Sequence, residues 1–426
     1  MLSRRKLGLL AAGGLAGLAA PRLRPLSAAP VAAPERKFLF LFCSGGWDTT
    51  YCFTPTTSDV ADVEPDATAA EVNGIRFVDR ESRPNVRSFF QEYGDRLCLI
   101  NGIEVQSITH ERCRQLILTG RADGDADDWP SILGARSINE LVLPYVVMDG
   151  PAFNSRYTSQ VVRVGDTAQL PRLISGEALS GADGGIFAPS DTIDAMEDAY
   201  LRQRAAAVSL AAKPGAPERF ADQFATALSQ MERLMVMSND IVLTTSMRGC
   251  ERDIVSDCAT AFDCFELGLA RCAMVRYNGW CNEGWDTHQG NELQDTNFND
   301  IFGYLDEVML DLATRVSPSG APLSDELTLV VFSEMGRSPR LNGWLGKDHW
   351  TFTSTMLIGA GVRGGQVIGD MDGSLRGRPI DMDSGEVFEA GTHLLPKHLG
   401  ATLLALGDID PADHITGADP IFAAME

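Results

Sequence analysis

The stretch "KFLFLFCSGGWDTT", residues 37–50, constrains the fold more than any other part of the chain. Phe38 to Cys43 are apolar without interruption, so neither side of the segment suits water, and the run is too short to be a buried helix. Gly45 and Gly46 stop it. A short apolar run ended by glycines predicts a strand buried on both faces, as in parallel sheets covered by helices on each side. Asp48 then falls just beyond the strand's C-terminal end. The same grammar follows: "RLCLINGIEV" (96–105) reads as a second strand and "SITHERCRQLILTGR" (107–121) as a helix whose start Ser107 or Thr109 can cap. Strand, loop and helix in this order predict an α/β fold.

The last third returns to the pattern. "FELGLARCAMVRYNGWCNEGWDTH" (265–288) runs from helix to strand to polar loop, and "DIFGYLDEVMLDLATRV" (300–316) reads as a helix. "DELTLVVFSEMGRSPR" (325–340) reads as a strand ending in a charged loop, "STMLIGAGVRGGQVIG" (354–369) as a strand with glycine turns, and "LPKHLGATLLALG" (395–407) as a closing helix. Between the two α/β parts, residues 121–238 read as a mainly helical insertion, a cap over the C-terminal edge of the sheet. Residues 192–212 and 217–237 form amphipathic helices there, broken by "KPGAP". The acidic run Asp123, Asp125, Asp127 and Asp128 lacks the glycine and glutamate that a calcium loop needs at its sixth and twelfth positions, and reads as a solvated loop.

Residues 1–33 have the layout of an export signal: Arg4 and Arg5, a weakly apolar run from Leu7 to Ala20, then small residues. The apolar run is shorter than the roughly 20 residues that a spanning helix requires. Twin arginines before it predict twin-arginine export, a periplasmic or secreted protein, and no transmembrane span in the mature chain 34–426. The formal net charge of −22, with no basic stripe after the first residues, argues against a nucleic-acid partner. None of the 9 cysteines forms a C-x-x-C pair, which argues against a zinc ribbon; disulfides are expected within 250–281.

Polar clusters recur at the C-terminal ends of the expected strands, where open α/β sheets place their sites. They are Asp48; Ser107, Thr109 and His110; Asp286 and His288; and Glu334 with Asp348 and His349. Three of the 6 histidines of the chain fall in them. Carboxylate with imidazole suits a borderline divalent ion such as zinc or manganese. Asp286 and His288, two residues apart, share one face of an extended segment. Each piece also has a plain structural reading: Asp-x-His as a hydrogen-bonded turn, Asp348/His349 as a helix start, Thr109 as an N-cap, and Glu334 as a partner of Arg337 or Arg340.

With these residues the sequence resembles the exported bacterial proteins catalogued as "domain of unknown function 1501", within the alkaline phosphatase and sulfatase superfamily. The resemblance is carried by "FLFLFCSGGWDTT", "SITHERCRQLILTG", "GWDTHQGN", "TLVVFSEMGRSPRLNGWLGKDHW", "LIGAGVRGGQVIG" and "LGATLLALG", in order from about residue 37 to 407. It implies an alkaline-phosphatase-like three-layer α/β/α sandwich with a mostly parallel central sheet. It also implies Thr109 as a nucleophile, Asp48 and Glu334 at a nucleophile-side metal, and Asp286, His288 and His349 at a second metal. His110, Arg337, Arg340, Asp348 and Trp285 are implied as substrate-binding or supporting residues, with Trp280 and Trp285 as pocket walls. Where hydrolytic relatives carry Asp-His, this chain has Glu334-Met335, and methionine is a poor ligand for such ions. One metal site is therefore expected to be sound and the other weakened. The implied function is an exported metal-dependent hydrolase of phosphate or sulfate esters acting on a small anionic ester. The alternative is a non-catalytic member acting with a cell-envelope protein.

Overall fold

A computed structural model describes residues 33–57, 59–164, 191–237 and 246–426. The expected export signal, residues 1–33, lies outside the described residues except for Ala33. The chain divides into two compact units, one of residues 33–168 and 241–426, the other containing residues 169–240.

The strands of the larger unit are β1 (Lys37–Cys43), β2 (Thr68–Val72), β3 (Ile75–Asp79), β4 (Leu97–Glu104), β5 (Tyr145–Val147), β6 (Val161–Arg163), β7 (Met247–Arg248), β8 (Glu251–Arg252), β9 (Cys272–Tyr277), β10 (Leu327–Phe332), β11 (Gly336–Leu341), β12 (Lys347–Trp350), β13 (Phe352–Gly359) and β14 (Gln366–Ile368). Among the described residues the helices are α1 (Pro84–Tyr93), α2 (His110–Thr119), α3 (Trp129–Ala135), α4 (Asp191–Ala211), α5 (Ala216–Met237), α6 (Ile254–Glu266), α7 (Leu293–Leu312) and α8 (Pro396–Leu406).

Eight strands form one sheet in the order β14-β4-β13-β10-β1-β9-β5-β6. Only β13 runs against its neighbours, so the sheet is mostly parallel, as expected. β1 pairs on both edges, with β10 and β9, and every one of its residues is buried. Phe38, Phe40 and Phe42 face a core shared with α2, α3 and α8. By strand alternation Leu39 and Leu41 face the opposite layer, where α1, α6 and α7 pack together. Each buried phenylalanine contributes about 2 kcal/mol of apolar transfer energy, so this segment cannot be moved to the surface cheaply.

The expected helix over 300–316 begins earlier, at Leu293, and ends at Leu312. The charged segment after β10 is not a loop but an antiparallel ribbon of β11 and β12. Residues 121–163 differ from the helical reading as well. They supply α3, the strand β5 and the edge strand β6 to the larger unit. In the acidic run, Asp127 accepts the N–H groups of Ser155, Arg156 and Tyr157, while Asp128 caps α3 through Ser131 N–H and also accepts from Phe153 N–H. These carboxylates tie two chain segments together instead of facing water. In the other unit the two expected helices are present as α4 and α5, packed on each other.

His398 shows how a buried histidine can serve a helix start. It is 5% exposed, and its Nδ1 accepts the Leu395 N–H at 3.1 Å in the first turn of α8. Burial, with Lys397 nearby, lowers its pKa to about 4. The unfolded value is near 6.5, so the neutral ring stabilises the fold fully above pH 6.5, and that contribution is lost as pH falls toward 4. Stability is expected to drop by about 3 kcal/mol across this window. Denaturant titrations at pH 4.5 and 7 should show that His398→Gln flattens this dependence.

Candidate metal centre

β1, β4, β9 and β10 all point the same way, so the loops that leave their C-terminal ends meet along one edge of the sheet. The ribbon before β13 reaches that edge from the other direction.

The floor of the site is the glycine pair after β1. Gly45 sits at φ +127°, and a Cβ there would lie 2.7 Å from the Asp286 nitrogen. Glycine is thus required both for the turn and for the close approach of the Trp285–Asp286 backbone. The Gly45 N–H donates to both Glu334 carboxylate oxygens, at 3.1 and 3.0 Å. Arg337, buried to 1% exposure, donates through Nε to Gly46 O at 2.8 Å, through Nη1 to Lys347 O, and through Nη2 to Gly45 O and to Asp286 Oδ1 at 2.7 Å. This guanidinium orders the floor and has no face open to a substrate.

Asp286 stands above the floor with three imidazoles around it. His349 Nε2 is 3.2 Å from Asp286 Oδ1, His288 Nε2 is 3.4 Å from the same oxygen, and His110 Nε2 is 3.3 Å from Oδ2. His288 Nε2 and His349 Nε2 are 3.0 Å apart. Thr287, between Asp286 and His288, turns inward and donates to Asn291, so the two-residue period holds on this segment. Arg337 and His349 are opposed partners on β11 and β12, which brings both to Asp286. Gly346 lets the ribbon lie on His288, since a Cβ there would be 2.2 Å from its backbone.

Each imidazole is held from behind at Nδ1. His110 Nδ1 faces Glu334 Oε1 at 2.9 Å, His288 Nδ1 faces Asp348 Oδ1 at 3.1 Å, and His349 Nδ1 faces the Ile108 carbonyl at 2.6 Å. These partners only accept, so each Nδ1 carries a hydrogen and Nε2 is the atom each ring turns toward the centre. Two lone pairs 3.0 Å apart repel unless a cation or a proton lies between them. Tetrahedral ligation with bonds near 2.0–2.1 Å sets ligand atoms about 3.3 Å apart, and the four separations given above, 3.0–3.4 Å, lie close to that. His110, Asp286 and His349 offer ligand atoms that all lie within 4.8 Å of one another. The donor set thus suits one divalent ion.

In the metal-free site a proton on His110 meets the Asp286 charge, and an ion bound there would displace it. Hydrogen bonds to Asp286 and Glu334 raise the His110 pKa to about 9. Burial pushes the Asp286 carboxyl upward, but His110, His349 and Arg337 outweigh it and hold the group far below the usual carboxylate range. Burial acts the same way on Glu334, and His110, the Gly45 N–H and Arg114 keep that side chain ionised.

The expected site residues are not all brought together. Asp48 is fully buried but faces elsewhere: it pairs with Lys347 Nζ at 2.8 Å, accepts from Thr50 N–H and Oγ1, and accepts from Asn291 Nδ2 at 2.8 Å. Glu334 backs His110 and has its oxygens taken up by Gly45, Ser333, His110 and Arg114. Arg340 bonds Asp62 and the Asp59 carbonyl, outside the cluster. Trp285 is fully buried against Phe298 and Trp47, beneath the site instead of walling a pocket. Trp280 is exposed on the loop tied down by the Cys250–Cys281 disulfide, which falls in the stretch where one was expected. The other cysteines are buried thiols. Thr109 caps α2 by position, without a side-chain capping bond, and its exposed hydroxyl lies 3.4 Å from Ser107 Oγ.

Sequence reasoning missed Lys347, Asn291, Gln294 and Arg114. Gln294 accepts the Asp48 N–H and donates to Trp285 O and Thr287 Oγ1, bracing the loop that carries Asp286. A signal existed for Arg114 alone, which lies one helical turn after His110 and so shares its face.

The profile of the family described as "Protein of unknown function (DUF1501)" matches residues 35–416. No curated protein matches the chain. Among solved structures, the chain is similar to the C-terminal periplasmic domain of EcEptC from Escherichia coli, at 8% identity and TM-score 0.42, over 90% of this chain and 85% of that one. It is similar to the lipoteichoic acid synthase LtaP from Listeria monocytogenes at 10% identity and TM-score 0.39, over 92% and 77%. A third is the PsFucS1 sulfatase from Pseudoalteromonas sp., at 10% identity and TM-score 0.38, over 88% and 68%.

Proposed function

The chain belongs to the family described as "Protein of unknown function (DUF1501)", and from that premise we propose that it is an exported, single-metal hydrolase of phosphate or sulfate esters. The observation that carries this reading is the convergence of His110, His288 and His349 Nε2 on Asp286, each ring fixed from behind by an acceptor. His110, Asp286 and His349 would hold the ion, with His288, beside His349, as a fourth ligand. Zinc or manganese fits such donors. Bound there, the ion supplies Lewis acidity toward an ester oxygen.

The residues of the chain do the rest. Thr109 presents an exposed hydroxyl, 3.4 Å from Ser107 Oγ, at the start of α2 next to His110, and acts as the nucleophile toward phosphorus or sulfur. The N–H groups of the first turn of α2 favour the anionic centre under attack. Glu334 keeps the His110 ring in place, and Arg337 keeps Asp286 ionised. The Asp48 carboxylate is already met by Lys347, and that of Glu334 by Arg114 and the His110 Nδ1–H, so the reading carries one ion and not two.

The same commitment of Asp48 and Glu334 favours a second reading, a non-catalytic cell-envelope binding protein that keeps the fold and the ion. Turnover separates the two. Protein purified after export is expected to hold about one equivalent of divalent metal and to cleave members of a panel of aryl phosphate mono- and diesters and aryl sulfates. Thr109→Ala is expected to lower kcat at least about 10³-fold with metal content unchanged. Metal without turnover would leave the binding protein. Turnover that survives Thr109→Ala would remove Thr109 from the role of nucleophile.

A further inference from the structure

A cavity of about 550 Å³ is lined by Glu104, Gln106, Phe352, Arg376, Arg378 and His393, none of which takes part in the cluster around Asp286. Its place follows from the backbone. Gln106 is two residues before Ile108, whose carbonyl holds the His349 ring, and Phe352 is three residues after His349. Three residues span about 10 Å at most, so the cavity flanks the metal centre on the same edge of the sheet. The segments that line it are pinned to one another: Val105 N–H donates to Thr351 O, Glu104 N–H to Leu394 O, and Trp350 Nε1 to Leu375 O, at 2.7, 2.9 and 2.7 Å. This is a preformed recess, of a size usual for small-molecule sites.

Its chemistry is unlike the rest of the surface. In a chain of net charge −22, the lining of one recess gathers two arginines and a histidine, with two acids, Glu104 and Asp372. Among the described residues, neither Arg376 nor Arg378 has a carboxylate within ion-pair distance. Asp372, the acid beside them in the lining, spends Oδ1 on the Ser374 and Arg376 backbone N–H groups, which shapes the turn that presents the arginines. Paired guanidinium forks without a protein partner are suited to an oxyanion. Phe352 adds an apolar face to the lining.

We propose that this cavity binds a second oxyanion group of the substrate, a phosphate, sulfate or carboxylate carried beyond the ester that reacts at the metal centre. The substrate class is then a polyanionic ester and not an isolated monoester. The substrate half of this inference rests on the hydrolase reading above; the anion site itself does not.

The test isolates the cavity from the metal. Full-length His349→Ala protein, stripped with chelator, is titrated calorimetrically with inorganic phosphate, sulfate and acetate, with and without Arg376→Gln/Arg378→Gln. Both arginines are exposed, and circular dichroism checks that the fold is kept. Saturable binding of at least one anion is expected, weakened roughly tenfold or more by the double substitution; the three anions tell which oxyanion is preferred. No saturable binding, or binding unmoved by the double substitution, overturns the site and leaves the metal centre standing. In the metal-loaded enzyme, Arg376→Gln/Arg378→Gln is expected to raise KM roughly tenfold for an aryl ester bearing a second anionic group, with kcat unchanged and the plain aryl ester unaffected. An equal effect on both esters overturns the substrate assignment. A wild type that turns over neither ester ends the hydrolase reading and with it the substrate assignment, while the anion titration still decides the site.

Discussion

Asp286→Ala is expected to strip the protein of its stoichiometric divalent ion. Among the described residues, Asp286 is the one carboxylate within reach of all three imidazoles, through Oδ1 to His288 and His349 and through Oδ2 to His110. Without it the three Nε2 atoms face one another with no anion to balance a cation. Metal content measured by mass spectrometry should fall from about one equivalent to below a tenth. His349→Ala is expected to do the same. Glu334→Gln, which touches only the back of the His110 ring at the cluster, should weaken affinity by about 10–100-fold without abolishing binding. Asp48→Asn should leave affinity unchanged, because the Asp48 carboxylate is engaged by Lys347, Thr50 and Asn291. Full metal retention in Asp286→Ala would sink the proposed centre. A large loss in Asp48→Asn would show that Asp48 is a ligand after all.

The second large effect concerns stability. Lys347 and Asp48 are both buried, 1% and 0% exposed, and their charges meet at 2.8 Å. Lys347→Met keeps most of the volume and removes the ammonium, leaving a carboxylate in the interior with only the Thr50 and Asn291 donors. Breaking a buried pair on one side typically costs about 3–5 kcal/mol. For a domain of this size that corresponds to a fall in Tm of roughly 5 °C. The double variant Asp48→Asn/Lys347→Met removes both charges and is expected to recover much of the loss, since replacing a whole pair is far cheaper than orphaning one member. Denaturant unfolding of the two single variants and the double closes the cycle. Additive effects would mean that the pair carries no coupling and that Lys347 stabilises the fold by packing alone.

These two experiments bear on the part of the site that was least visible in the chain. Asp286, His288 and His349 were marked by residue type, by spacing and by the ends of apolar runs, and they do converge. His110 was visible as a neighbour of Thr109, but its place in the cluster depends on Glu334 approaching from β10, 224 residues away. Glu334 was expected to ligate, and it instead positions an imidazole. That distinction lies in a few ångströms of side-chain reach that no spacing rule encodes. The ribbon of β11 and β12 was hidden because "SEMGRSPRLNGWLGKDHW" is polar and rich in glycine, and so lacks the alternation that marks a strand.

What the sequence by itself determined is the sheet and the address of the site. Uninterrupted apolar runs ended by glycines can be satisfied only by buried, mostly parallel strands, and such strands deliver their following loops to a common edge. What only the tertiary structure decided is which carboxylate meets the cluster of imidazoles and which is taken up by a lysine. Asp48 and Asp286 are alike in the chain, each an acid just past a strand. They part ways because Lys347 and Asn291 reach one, and three imidazoles reach the other. The charge of a buried carboxylate must be met by whatever cation the fold brings nearest, and that nearness is set by packing between segments far apart in sequence.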